Sequence, residues 1–232
     1  MPGEPPPFLM TVEDVFVPKR GRLVMAAGRI ERGRVRRGDE VAIVGFGTEE
    51  NVRAAGIHDG GRETDEAGAC ANVALLLPGA VADVLERGQV LAAPGSIRAY
   101  GVFAADVAVL AEDEGGAEVR TGDTLDCYLR GAAVVGTVTL PPGLDALRPL
   151  HQATVRIDLD RPVPLESGHR FAFRRHGRAA GSGTVTRLLA SAPAPASGSE
   201  PPGDGLPHIG PGDLQREAAV PAANRGHRTS GA

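Results

Sequence analysis

The chain has no tryptophan, only two tyrosines and six phenylalanines, and Lys19 is its single lysine among 25 basic residues. So few rings argue against a ligand pocket walled by aromatics, and they leave the cores to Val, Leu and Ala, which suit sheets. Two cysteines, Cys70 and Cys127, form neither a CxxC nor a Cys/His spacing. That excludes a disulfide framework and a zinc site and fits a reducing cytoplasm. No apolar run approaches the roughly 20 residues that span a bilayer, and Met1 to Pro7 carries no charged start before an apolar stretch. The expectation is a cytoplasmic protein with no membrane partner. A globally basic surface is also missing, because the formal net charge is -4.

What is present is apolar sequence in short pieces. A hydrophobic share of 42% is enough for packed cores. Strand-length runs lie at Phe8 to Phe16, Leu23 to Ile30, Glu40 to Val44, Asn72 to Leu77 and Val102 to Leu110. Others follow at Leu125 to Leu129, Ala133 to Leu140, Ala153 to Leu159, Arg170 to Arg174 and Gly183 to Leu189. Gly, Pro or Asp separates most of them, the signature of barrel or sandwich architecture. Val81 to Arg87 offers one or two helical turns at most. Proline and glycine break the pattern at Ala93-Pro94-Gly95-Ser96, a candidate boundary. The tract from Ser191 is rich in Pro, Ala, Gly and Ser and too poor in large apolar groups to offset its ordering entropy. The reading is all-β: a disordered start at 1–6, two antiparallel β-barrels at 7–96 and 97–190, and a disordered tail at 191–232.

Chemistry-bearing residues are sparse. Six histidines show no triad or metal spacing. Ser182 in Gly181-Ser182-Gly183 lacks the G-x-S-x-G elbow and reads as a bulge between strands. Neither a catalytic residue, a metal site nor a cofactor is expected. Arginines cluster at Arg29, Arg32, Arg34, Arg36 and Arg37, and again at Arg170, Arg174, Arg175 and Arg178. Alternating strand residues share a face, so Arg32, Arg34 and Arg36 are candidates for phosphate contact. The competing reading is a solvated face balanced by Glu31, Asp39 and Glu40, with the arginine bias written by a GC-rich genome.

Three stretches carry a resemblance: Pro7-Phe8-Leu9-Met10-Thr11-Val12-Glu13-Asp14-Val15-Phe16; Ala27-Gly28-Arg29-Ile30-Glu31-Arg32-Gly33 with Gly38-Asp39-Glu40-Val41-Ala42-Ile43-Val44-Gly45; and Leu85-Glu86-Arg87-Gly88-Gln89-Val90-Leu91-Ala92 with Pro94-Gly95-Ser96-Ile97. In this order they resemble the second domain of the bacterial elongation factor Tu family. Phe103 to Leu110, Gly136 to Gly143, Phe171 to Arg174 and Gly177 to Gly183 are similar to its third domain. The resemblance covers about 7–189 and implies two barrels packed side by side, with the GTPase domain of that family absent. GTP binding on that scaffold needs G-x-x-x-x-G-K-[ST], and Lys19 is followed by Arg20, so no GTP binding is expected of this sequence. Asp113-x-x-Gly116 matches a switch pattern by letters and reads as a surface turn.

By resemblance, Glu13, Asp14, Phe16 and Asn72 match positions that hold the aminoacylated end of tRNA. The alternatives are an exposed strand end for Glu13-Asp14, core packing for Phe16 and a strand-entry cap for Asn72. Two departures stand out. Ile57-His58-Asp59-Gly60-Gly61 replaces the family's Val-Glu-Met-Phe-Arg stretch of the adenosine pocket, and Ala117 to Cys127 replaces an aromatic-rich segment. Residues are also inserted around Val17-Pro18-Lys19-Arg20. The expectation is a non-enzymatic module that binds RNA, such as tRNA, or a translation factor, with a separate GTPase domain in trans among the partners. A protein-interaction module without RNA affinity is the alternative, and a gene remnant the third.

Overall fold

Along Ala132–Thr139 buried and exposed residues alternate without a break, the period of a strand with one face in a core. That pattern recurs through a computed structural model of the chain that describes residues 5–18 and 22–191. The expected stretches at Met1 to Glu4, Lys19 to Gly21 and 192–232 lie outside the described residues.

The first set of strands is β1 (Leu9–Phe16), β2 (Leu23–Arg32), β3 (Arg34–Arg36), β4 (Glu40–Gly45), β5 (Thr48–Arg53), β6 (Gly56–Asp59), β7 (Arg62–Thr64), β8 (Glu66–Gly68), β9 (Asn72–Pro78) and β10 (Val90–Ala92). Eight of them form an antiparallel sheet in the order β5-β4-β10-β1-β2-β9-β6-β7, and β3 pairs with β8 beside it. The sheet curls so that the N–H of Ala55, just past β5, donates to Leu76 O on β9. Met10, Val12, Ile30, Ile43, Leu75 and Leu91 fill its inside. Between β9 and β10, Gly79–Val81 forms a short 3-10 turn rather than a helix over Val81 to Arg87.

The second set is β11 (Arg98–Val109), β12 (Thr124–Leu129), β13 (Ala132–Thr139), β14 (Gln152–Leu165), β15 (Arg170–Arg175) and β16 (Arg178–Ser191). These close into a barrel in the order β11-β14-β13-β12-β15-β16, which leaves no unpaired edge. Phe103, Leu125, Leu129, Ile157, Phe171 and Phe173 form its core. Gly181-Ser182-Gly183 is regular strand within β16, in register with Phe173, Ala172 and Phe171, and the nearby irregularity falls at Phe173/Arg174. The glycines are needed for space: a Cβ at Gly181 or Gly183 would lie 2.3 or 2.5 Å from the rings of Phe173 and Phe171.

Four hairpins turn on two residues that both have positive φ: Phe46-Gly47, Gly60-Gly61, Arg130-Gly131 and His176-Gly177. This is the turn whose twist matches that of the flanking strands. A different turn, Arg148 to His151, has Pro149 second and Leu150 third, with φ of 63° at Leu150, which is 78% exposed. A type II turn asks for glycine at that third position. Leu150→Gly is therefore expected to raise stability by about 0.5–1 kcal/mol after the entropic cost of glycine. A urea denaturation midpoint that fell instead would show that the leucine is held there by packing.

The barrels pack through Leu9, Ala42, Val44, Val90 and Ala92, on the outer face of β1-β10-β4, with Ile97 just before β11 and Ala99 within it. The β4–β5 hairpin tip reinforces that contact against β14. Phe46 donates its N–H to Pro162 O (2.7 Å), and the Arg161 guanidinium stacks 4.0 Å over the Phe46 ring.

Candidate functional site

A bulge opens the site. β1 and β2 pair Val12 with Gly28 but Asp14 with Ala27, which leaves Glu13 as the extra residue. β2 is the middle strand, with β9 on its other side. The rows crossing the three strands are Thr11–Arg29–Asn72, Asp14–Ala27–Ala74 and Phe16–Met25–Leu76. Residues two apart share a face, and the intervening Val24, Ala26, Ile30, Val73 and Leu75 point into the core. Asp14, Phe16 and Asn72 therefore stand on one outward face, with Glu13 at its rim.

Core packing does not describe Phe16, which is 51% exposed because its parity on β1 is outward. It adjoins Val17 and Leu23, also exposed, and half-buried Met25 and Leu76. Glu13 and Asp14 are both exposed, and the Asp14 carboxylate accepts the N–H of Val15 (2.8 Å). Asn72 opens β9, exposed, opposite Arg29. On β6, beyond β9, Ile57 is buried, His58 lies opposite Ala74, and Gly60-Gly61 makes the hairpin tip. The face thus pairs an apolar strip with carboxylate, amide and imidazole groups, and it suits an amphipathic or base-bearing partner.

Arg32, Arg34 and Arg36 do not form a single row. Arg34 and Arg36 flank inward Val35 on β3 and share Glu66, at 3.0 and 2.6 Å. Arg37 pairs with Glu63 and Asp65. Arg32, on β2, reaches Glu166 of the second barrel with two hydrogen bonds of 2.9 and 2.8 Å. The hydrogen-bonding partners of these guanidiniums are thus Glu66 and Glu166; Glu31 bonds Arg130, and the Asp39 carboxylate accepts the Arg36 backbone N–H. The second barrel differs: Arg170, Arg174, Arg178 and Arg187 are exposed and have no carboxylate partner among the described residues. Arg174 lies 5.1 Å over the Tyr128 ring, and the row Tyr128–Ala172–Ser182–Ala108 beside it is open and small-sided.

One group was not expected from the sequence. The Arg130 side chain, only 4% exposed, bonds Glu31 of β2 and Glu166 (2.8 Å) at the barrel contact. The signal was there in the Arg130-Gly131 pair, since arginine is a poor choice for positive φ unless its side chain is needed. Hydrogen bonds from Arg32 hold the Glu166 carboxyl below the usual range. Burial alone would raise Glu31, but bonds from Arg130 and Thr11 outweigh it and lower it.

Nucleophile chemistry finds no support at Cys127, where burial and then the Asp126 charge push the thiol up to about 12. Among the described residues, no three His, Cys, Asp or Glu side chains converge as a metal set. Nor is any of their helices long and apolar enough to cross a membrane.

Comparison with known families bears directly on this architecture. Residues 24–92 match elongation factor Tu domain 2, and residues 96–189 match the elongation factor Tu C-terminal domain. The first match holds Asn72 with the rest of β2 and β9, and the second holds the closed barrel with its unpaired arginines. The chain belongs to the elongation factor Tu family, through its second and C-terminal β-barrel domains.

Proposed function

We propose that this protein is a non-enzymatic, cytoplasmic binding module of translation that holds RNA, with tRNA the first candidate. The observation that carries the reading is the shared outward face of Asp14, Phe16 and Asn72, with a half-exposed phenylalanine at one corner of it. An exposed ring gives a base a surface to stack on, and nearby polar groups can orient it. Arg170, Arg174 and Arg178 supply phosphate contacts on the second barrel, because they have no carboxylate partner among the described residues, whereas Arg34 and Arg36 of β3 share Glu66. The loss of a carboxylate and an aromatic at Ile57 to Gly61 removes part of the family's adenosine pocket, so discrimination of the charged tRNA end is weaker than in the family.

The test is binding of labelled aminoacylated and deacylated tRNA across a salt series. The expected result is affinity that falls with salt, drops about tenfold on Phe16→Ala or Asn72→Ala, and has a shallower salt slope in the triple alanine variant of Arg170, Arg174 and Arg178. Absence of binding at low salt would sink the RNA reading. The protein-interaction reading would then stand, favoured by the apolar strip of Phe16, Val17, Leu23, Met25 and Leu76. A separate GTPase domain, docked in trans on that strip, is its first candidate partner.

A further inference from the structure

Arg130 sits at a place that costs it twice. Its backbone has a φ of 46° at a hairpin tip, and its charge is buried, with the side chain only 4% exposed. Both costs are tolerated where surrounding groups over-determine the residue. Those groups come from both barrels. Glu31 from β2 of the first accepts from Arg130 and from the Thr11 hydroxyl of β1. Glu166, just past β14 of the second, accepts from Arg130 (2.8 Å) and takes a two-bond clamp from Arg32 of β2. The cluster holds two guanidinium and two carboxylate charges and is balanced. His169 lies against it, half-buried, with Nε2 making no hydrogen bond to the described residues.

We infer that Arg130, Glu31, Glu166 and Arg32 form an acid-sensitive catch that fixes the two barrels in one mutual orientation. The groups facing His169 are Arg130, Glu31 and Glu166, with Arg32 and Thr11 behind the carboxylates. A proton on His169 makes the balanced cluster net positive beside a buried guanidinium. Burial first, and then Arg130, push the His169 pKa below its ordinary 6.5. An opened, hydrated His169 regains the ordinary value, so the open form takes up the proton first as pH falls through 6.5. The closed form therefore keeps the full His169 contribution above that pH and loses it progressively as pH falls towards the lowered pKa of the closed state. Glu31 and Glu166 act in the same direction lower down, since their depressed pKa values stabilise the closed form above 4.5 and that contribution fades below it.

The remaining contact is the apolar patch of Leu9, Val44, Val90 and Ile97, together with the Phe46 N–H to Pro162 O bond, the Arg161 guanidinium over the Phe46 ring and the Arg161–Glu86 ion pair. It holds the barrels together on that side after the catch opens, so their mutual angle widens about that contact on the side of the catch.

The full chain offers a direct test. Cys70 is exposed on the first barrel and Cys127 is buried, so a spin label on Cys70 can be paired with one at Asp145→Cys, an exposed turn position of the second. The expected result is a single narrow distance at pH 8 and an added broad population at pH 5.5, with far-UV circular dichroism unchanged. Arg130→Met is expected to be broad already at pH 8, and His169→Gln to stay narrow at pH 5.5. Should Arg130→Met fail to fold, Glu166→Gln takes its place with the same expectation. A narrow distance at pH 5.5, a narrow distance in the catch variant, or loss of the circular dichroism signal in acid would each overturn the inference.

Discussion

Gly28→Ala is expected to cost at least about 3 kcal/mol, well above the usual price of adding a methyl group to a strand. The reason is backbone rather than conformational freedom. A Cβ at Gly28 would lie 1.9 Å from Thr11 O and 3.4 Å from the N–H nitrogen of Glu13. Neither atom can rotate away, so β1 must shift where its bulge presents Glu13, Asp14 and Phe16. Loss of stability and loss of partner binding should therefore arrive together. Gly38→Ala separates this from the general cost of removing a glycine. Its φ is 87°, but a Cβ there meets nothing within 4 Å, so about 1 kcal/mol is expected. A Gly28→Ala protein within 1 kcal/mol of the parent in urea denaturation would show that the strands are not packed this tightly.

Phe103→Ala is expected to cost about 3–5 kcal/mol and to act on the second barrel. The ring is fully buried and meets Phe171 edge-on, with centroids 5.8 Å apart and planes at 87°. Truncation removes apolar contact and the aromatic pair, and the closed ladder limits collapse into the space left. Both tyrosines, Tyr100 and Tyr128, lie in that barrel and there is no tryptophan, so tyrosine fluorescence reports it alone. The expected reading is an early tyrosine transition in Phe103→Ala, while part of the far-UV signal persists to higher denaturant. In Gly28→Ala the order reverses. A tyrosine transition unmoved by Phe103→Ala would contradict the core described here.

The strands that could be read from the sequence share one property. Ala132–Thr139 and Asn72–Pro78 bury every second residue of an apolar run, so period and composition agree. Of those not read, β6, β8 and β10 are only three or four residues long, and β5 with Thr48-Glu49-Glu50-Asn51 and β7 with Arg62-Glu63-Thr64 are short and polar. β5 and β7 sit at the two ends of the sheet order, where few of their residues face a core, and only backbone pairing with a neighbour makes them strands. Phe16 shows the complementary error. An aromatic at the end of an apolar run looks like core, and the bulge at Glu13 alters the alternation that would have decided its side.

The sequence by itself determined the all-β character, the family and the missing phosphate-loop lysine. All of these depend on residues close together along the chain or on a residue type that is simply not there. Only the tertiary structure decided which arginines remain available. Arg32 finds its carboxylate 134 residues away, and Arg130 finds Glu31 at a separation of 99. Charge pairing acts through space without sequence period, so a row of arginines reads the same whether its charges are free or already neutralised.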